Sequence, residues 1–171
     1  DYLWMQVEPN KRAPMSHAVL TSLAPDLDAA SLSTLSRQLD TASFDGSCTI
    51  ENVQLVGGFP LKTHTVDTMM RVELPVTLQP GASVAFELDW AYTVNDTRVS
   101  RGRTGAEYLD DGNWIYGMAQ WFPRMCAYTD YTGWQNKEFL GSGEFTLEFG
   151  DYEVAITMPA DHVVTASGSL L

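Results

Sequence analysis

The chain has 171 residues, of which 44% are hydrophobic and 19% charged, and its formal net charge is −12. This composition is that of a globular domain and excludes a chain that is disordered throughout. The acidic surface disfavours nucleic-acid binding because it repels phosphate backbones. No apolar run reaches the length of about 18 residues that a membrane-spanning helix needs.

The first third of the chain predicts two strands and one short helix. Residues 2–7 form an apolar run without a turn, which predicts a strand with both faces buried. After Pro25 the leucine spacing favours a short surface helix, carried by Leu27, Leu32, Leu35 and Leu39. A further strand is predicted from the apolar residues Cys48, Ile50, Val53 and Leu55.

Two longer runs predict a hairpin in the middle of the chain. Alternate residues are apolar over 70–78 and again over 84–94, which is the spacing of strands with one buried face. Pro80-Gly81 between the runs favours a turn over 79–83. Pro75 cannot donate a ladder hydrogen bond, so the first run predicts an edge strand or a bulge.

The second half predicts short strands separated by turns, over 114–118, 119–125, 145–149 and 152–158. About seven to nine strands at such spacings are typical of sandwiches and open saddle-like sheets. The sequence therefore predicts a single all-β domain over residues 1–171, with mainly antiparallel, sandwich-like sheets and at most one short helix. Both ends of the chain are apolar, whereas native termini are usually polar, so we expect a fragment of a longer polypeptide.

No catalytic motif is present. His17, His64 and His162 are each followed by residues that do not make an H-E-x-x-H zinc motif. The turn acids that could form a carboxylate pair for sugar hydrolysis are Asp110, Asp111, Asp130, Glu138 and Glu144. Turns favour acidic residues for backbone reasons alone, so a solvated role is the simpler interpretation.

The two cysteines are compatible with one disulfide or with two buried thiols, because their spacing fits no motif. Cys126 has no histidine near it in sequence, so we expect a buried thiol rather than a nucleophile. Arg124 could clamp a carboxylate, but an ion pair with an acidic residue of the chain is the favoured interpretation.

Three tryptophans lie close together in sequence, at Trp114, Trp121 and Trp134. They could form an aromatic platform for sugar or peptide, or they could pack inside the domain, and packing is favoured because large aromatics are more often core or interface. Trp134 is expected to be the most exposed of the three because it lies in a polar loop.

A pattern in several parts runs through the second half. It comprises segments 119–125, 133–134, 143–145, 148–152 and 156–161 with Tyr128, Asp130 and Val154, joined by the ends 1–10 and 166–170. Together these segments resemble the N-terminal domain of zinc aminopeptidases of the gluzincin clan, in a bacterial branch of the alanyl aminopeptidase and leukotriene hydrolase superfamily. Residues 15–68 do not share the resemblance.

The resemblance implies a saddle-shaped β-domain that packs against a thermolysin-like catalytic domain following residue 171. That domain would carry the zinc, its ligands and the general-base glutamate, so no catalytic residue, metal ligand or cofactor is expected in this chain. In several members a Gln or Glu of the β-domain lines the pocket for the first residue of the substrate, and Gln120 is the position that fits. The order Pro123-Arg124-Met125-Cys126 departs from the usual family pattern of an Arg before Pro-Cys-x-Asp-x-Pro.

The partners implied by the resemblance are the downstream catalytic domain and the peptide substrate of the parent enzyme. The family also has strands before the position of Asp1, so we expect an exposed sheet edge near residues 2–7 and self-association through it. A bacterial periplasmic or cell-envelope location is favoured over the cytoplasm. Two alternatives remain: a free-standing carbohydrate-binding β-sandwich that uses exposed tryptophans, and a purely structural interaction domain.

Overall fold

A computed structural model describes residues 2–7, 48–98, 104–119, 121–137 and 146–171. These residues contain no helix, which confirms the all-β prediction, and all their strand pairs are antiparallel. The helix predicted over 27–39 lies outside the described residues. The strands are β1 Tyr2–Gln6, β2 Cys48–Leu55, β3 Phe59–Pro60, β4 Lys62–Val66, β5 Met69–Glu73, β6 Phe86–Tyr92, β7 Gly105–Tyr108, β8 Trp114–Gly117, β9 Arg124–Met125, β10 Tyr128–Thr129 and β11 Gly133–Trp134.

Two sheets meet across the core. One has the strand order β4-β5-β1-β9 and the other β3-β2-β6. The first sheet contributes the buried side chains of Met5, Met70 and Val72. Half-buried side chains of the second sheet pack against them, namely Ile50, Val53, Leu55, Phe86 and Leu88. The core therefore lies between two antiparallel sheets, in a sandwich-like arrangement.

Strand β1 lies inside its sheet. It pairs with β5 along its whole length, from Tyr2↔Glu73 to Gln6↔Met69. On its other side Met5 pairs with Met125, and the Trp4 carbonyl accepts a hydrogen bond from the Cys126 amide at 2.9 Å. Residues 5–7 are buried, as predicted for a strand with two covered faces. The exposed sheet edge predicted near residues 2–7 is therefore wrong.

The hairpin predicted from the two alternating runs is also wrong. Strand β5 ends at Glu73, before Pro75, and it pairs with β1 and β4, whereas β6 pairs with β2 in the other sheet. The turn at residues 79–82 does form, with an Ala82 amide bond to the Gln79 carbonyl at 2.9 Å. It carries the chain from one sheet to the other, because proline ends the ladder that a hairpin would need.

A hairpin that the sequence did not predict joins β4 to β5. Val66 pairs with Met69 across the two-residue turn Asp67-Thr68, and Asp67 has a φ of 53°. Aspartate tolerates this left-handed conformation better than most residues, which suits it to a tight hairpin. The strand β4 is polar and fully exposed, so the apolar pattern did not reveal it.

Strand β2 contains a β-bulge. Glu51 pairs with Asp89 and Gln54 pairs with Glu87, so β2 carries one more residue than β6 between these pairs. Asn52 lies in this bulge with a φ of 50° and donates a hydrogen bond to the Asp89 carboxylate at 2.7 Å. The side chains that face the core are Cys48 and Ile50 before the bulge and Val53 and Leu55 after it.

The strand predicted over 152–158 is not formed. Leu147 makes an isolated bridge with Cys126, and residues 151–158 then make no β-bridge. The alternation of this segment is real, but none of the described strands lies beside it to complete a ladder.

Candidate functional site

An aromatic ladder covers one face of the β7–β8 hairpin. Tyr108 lies directly opposite Trp114, with ring centroids 5.1 Å apart. Tyr116 follows two residues later on the same face, and its ring lies 6.3 Å from that of Trp114 at an interplanar angle of 24°. Trp114 and Tyr116 are each 44% exposed. Large aromatic side chains with this exposure mark a surface suited to an interface or a ligand.

Two turn hydrogen bonds and a glycine determine the geometry of the β7–β8 hairpin, which carries the ladder. The Leu109 amide donates to the Asn113 carbonyl at 2.8 Å, and the Gly112 amide donates to the Leu109 carbonyl at 3.0 Å. Gly112 has a φ of +87°, a conformation that glycine adopts without steric cost. The turn sets the register, and the register brings Tyr108 and Trp114 together.

A guanidinium lies beside Trp114, the middle ring of the ladder. The Arg98 guanidinium lies 5.9 Å from the centre of the Trp114 ring. Its Nε donates to both carboxylate oxygens of Asp96, at 2.9 and 3.0 Å. These bonds hold the pKa of Asp96 at about 2, so its carboxylate stays ionised well into acid. The ion pair fixes the guanidinium beside the ring, where cation–π attraction is favourable.

A second aromatic cluster involves the residues that follow β8 in the chain. Trp90 and Trp121 have ring centroids 5.9 Å apart, and Phe122 lies edge-on to Trp121 at 5.0 Å. Tyr152 completes the cluster, with its ring 5.7 Å from Phe122. The Trp90 indole Nε1 donates to the Trp121 carbonyl at 3.1 Å, which ties β6 to the segment before β9.

Gln120, the residue expected to touch substrate, lies outside the described residues, but its two neighbours are held firmly. The Ala119 carbonyl accepts a bond from the Thr104 hydroxyl at 2.7 Å, and the Ala119 amide donates to the same hydroxyl at 3.1 Å. On the other side, Trp121 is anchored by Trp90. Ala119 and Trp121 are therefore each held by hydrogen bonds to another part of the chain.

The tryptophans differ in exposure from the prediction. Trp134 is half-buried in β11 and packs edge-on against Tyr128 at 5.3 Å, so the expectation that it is the most exposed of the three is wrong. Trp121 is also half-buried, which leaves Trp114 as the exposed member. The sequence pattern missed Tyr108 and Tyr116, although their placement around the Asp-Asp-Gly turn signals a hairpin.

Within the described part of the chain, Arg124 makes no ion pair with a carboxylate, contrary to the prediction. Among the described residues its guanidinium donates to the backbone carbonyl of Glu148 at 3.2 Å and lies 5.9 Å from the Phe122 ring. Glu148 uses its carboxylate instead to accept the Tyr128 amide at 3.2 Å. These contacts attach the segment after residue 146 to β9 and β10.

Cys126 is a buried thiol, as expected, and it forms no disulfide with Cys48. Burial raises the pKa of Cys126 to about 11 from its ordinary value of 9.0. A thiol of this pKa is protonated at neutral pH and is a poor nucleophile. Because unfolding lets it ionise from pH 9 upward, the stability that burial of the neutral thiol favours is lost as pH rises toward 11.

The histidines and acidic residues considered for catalysis or metal binding form no cluster among the described residues. His64 is exposed on β4, while His162 contacts Asp161 at 2.7 Å and its ring lies 6.0 Å from Tyr116. His17, Glu138 and Glu144 lie outside the described residues. Within the part of the chain that the structure describes, no group of three or more His, Cys, Asp or Glu side chains is placed to hold a metal ion.

No family model matches the chain, and no curated protein or solved structure matches it either. The described residues include no helix long and apolar enough to cross a membrane.

Proposed function

We propose that the chain is the non-catalytic N-terminal domain of a zinc-dependent aminopeptidase, which walls the substrate cleft and docks the catalytic domain. The resemblance of segments 119–125 and 148–161 to that family motivates the proposal. The observation that supports it is the exposed ladder of Tyr108, Trp114 and Tyr116, together with the hydrogen bonds that hold Ala119 and Trp121. Tyr and Trp are the residues that most often dominate binding at protein interfaces.

The chemistry of the parent enzyme would come from outside this chain. Bound zinc lowers the pKa of its water and supplies the nucleophile for peptide hydrolysis. The described residues of this chain offer no group that fits zinc, so none of them is given a step in that reaction. Their role is to shape the wall, with the Thr104 and Trp90 hydrogen bonds holding the backbone on each side of Gln120. An amide at position 120 would then meet the substrate's first residue.

The test is peptidase activity of the full-length protein. We expect it to hydrolyse aminoacyl p-nitroanilides and to lose this activity with a zinc chelator, while residues 1–171 alone show none. Gln120→Ala is expected to raise KM with little change in kcat, because a pocket wall contributes binding that is equal in ground and transition states. The matched control is Gln135→Ala, at a glutamine that hydrogen-bonds within its own hairpin. Hydrolysis by residues 1–171 alone would refute the proposal.

The second candidate is carbohydrate binding, and the specific observation in its favour is the exposed Trp114–Tyr116 pair. Near-parallel exposed rings present negative π-faces to the C–H bonds of a sugar. If this function holds, oligosaccharides give a saturable shift of tryptophan fluorescence that Trp114→Ala abolishes. Trp134→Ala serves as the control because Trp134 packs against Tyr128 away from the ladder. A fluorescence spectrum that does not respond to oligosaccharides contradicts this candidate and leaves the first unaffected.

A further inference from the structure

The segment Asp151 to Met158 has the pattern of a β-strand but no strand partner. It runs without a turn or bend, and none of its residues makes a β-bridge. None of the backbone hydrogen bonds between described residues reaches it. Gly150 precedes it and Pro159 ends it, because proline cannot donate to a ladder. Its backbone donors and acceptors are therefore available to another strand.

The same segment presents an apolar stripe. Tyr152, Val154, Ile156 and Met158 alternate along it and are between 40% and 58% exposed. At one end of the stripe the Tyr152 ring packs against Phe122, with ring centroids 5.7 Å apart. The four apolar side chains otherwise remain substantially exposed, next to backbone groups without a hydrogen-bond partner among the described residues. An edge of this kind is a template for pairing with another chain.

We propose that this segment pairs antiparallel with the same segment of a second copy of the chain, across a two-fold axis at Ala155. The proposal does not depend on the aminopeptidase assignment. In this register Tyr152 faces Met158 of the second copy and Val154 faces Ile156, so every apolar residue of the stripe meets an apolar residue. A two-fold axis at Val154 would instead leave Met158 opposite Gly150.

The charges of the segment also suit a second copy. The axis at Ala155 places Glu153 opposite Thr157 and Asp151 opposite Pro159, so no carboxylate faces another. Like charges directly opposite each other on paired strands are destabilising. Long-range repulsion between two chains of net charge −12 opposes the dimer, and salt screens it. Salt is therefore expected to strengthen this pairing, whereas it would weaken pairing with a basic strand of another protein.

The first experiment measures the mass of the 171-residue chain by sedimentation at rising protein concentration, in low salt and in about 1 M salt, where the Debye length is about 3 Å. We expect the mass to rise from 18.9 kDa toward twice that value, and to rise earlier at high salt. A chain that stays at 18.9 kDa under both conditions overturns the proposal. An association that salt weakens rests on contacts between opposite charges rather than on the apolar stripe, and it overturns the proposal as well.

Substitutions locate the contact. Val154→Lys is expected to raise the dissociation constant by about tenfold or more, although it makes the chain less negative. Val163→Lys makes the same change of charge at a residue that is 97% exposed outside the segment, and it should leave the dimer intact. A dimer that Val154→Lys does not weaken overturns the site. Circular dichroism of the monomers checks that both variants fold.

A cysteine trap tests the register. Directly opposed residues in antiparallel strands have Cα atoms about 4.5–5.5 Å apart, which a disulfide can bridge. Ala155→Cys lies on the proposed axis and should give a covalent dimer under mild oxidation, above the background of the native thiols. Val163→Cys should give none above that background. Equal cross-linking of the two variants overturns the register.

Discussion

Replacing Met70 by alanine is expected to lower the free energy of unfolding by about 2–5 kcal/mol. Met70 is 1% exposed, is the second residue of β5 and pairs with Met5 of β1 on one side and Thr65 of β4 on the other. Its side chain points into the core between the two sheets, where truncation removes contacts and leaves a cavity. Whole domains are stable by only about 5–15 kcal/mol, so this one change could remove a third of the total.

Urea denaturation followed by tryptophan fluorescence measures the effect. The control is Met118→Ala, because Met118 is 45% exposed and its truncation leaves no cavity. Its effect should stay within about 0.5 kcal/mol, as for most surface changes. Equal destabilisation by the two substitutions would contradict a core placed between the sheets.

Replacing Gln6 by methionine is expected to stabilise the fold, by about 1–3 kcal/mol. Gln6 is 1% exposed, and among the described residues neither its amide nitrogen nor its amide oxygen has a hydrogen-bond partner. A buried polar group without a partner loses its hydration and gains nothing in return. Methionine has a similar unbranched shape and carries no such group, so it should fill the same space.

The control for this prediction is the same substitution at Gln54, with the opposite expected sign. The Gln54 amide donates to the Glu87 carboxylate at 2.8 Å across β2 and β6. Gln54→Met removes that bond and should lower the unfolding free energy modestly, by about 0.5–1.5 kcal/mol. Thermal and urea unfolding of both variants should agree in sign. A Gln6→Met chain that is less stable than the native one would show that the buried amide binds water or another polar group.

Local pattern predicted the class of the fold but not the pairing of its strands. The alternation over 84–94 correctly placed β6, because period two records which face of a strand is buried. It could not say that β6 pairs with β2, since pairing depends on contacts between residues far apart in sequence. Pro75 explains why β5 ends at Glu73, because proline cannot donate a ladder hydrogen bond. The sequence alone did not show that the chain then crosses to the other sheet.

The candidate site was predictable only in part, and for a similar reason. The sequence drew attention to Trp114 and its neighbourhood through residue types alone. The ladder itself depends on the register that sets Tyr108 opposite Trp114, and that register follows from the turn at Gly112. Trp134 was misjudged because its polar neighbours suggested a loop, whereas a short β10–β11 hairpin packs its ring against Tyr128.

The bulge at Asn52 decides which single-residue deletions the strand β2 tolerates. Core-facing side chains fall at Ile50 before it and at Val53 and Leu55 after it, so the extra residue switches the parity of the strand. Deleting the codon for Asn52 would remove that extra residue and restore regular alternation, with Ile50, Val53 and Leu55 still on the core face. Deleting the codon for Gln54 would instead move Leu55 to the outer position that Gln54 now holds, because a shift of one residue reverses the face of a side chain. A one-codon deletion at Gly57 or Gly58, in the exposed turn after β2, shifts no such parity within the strand.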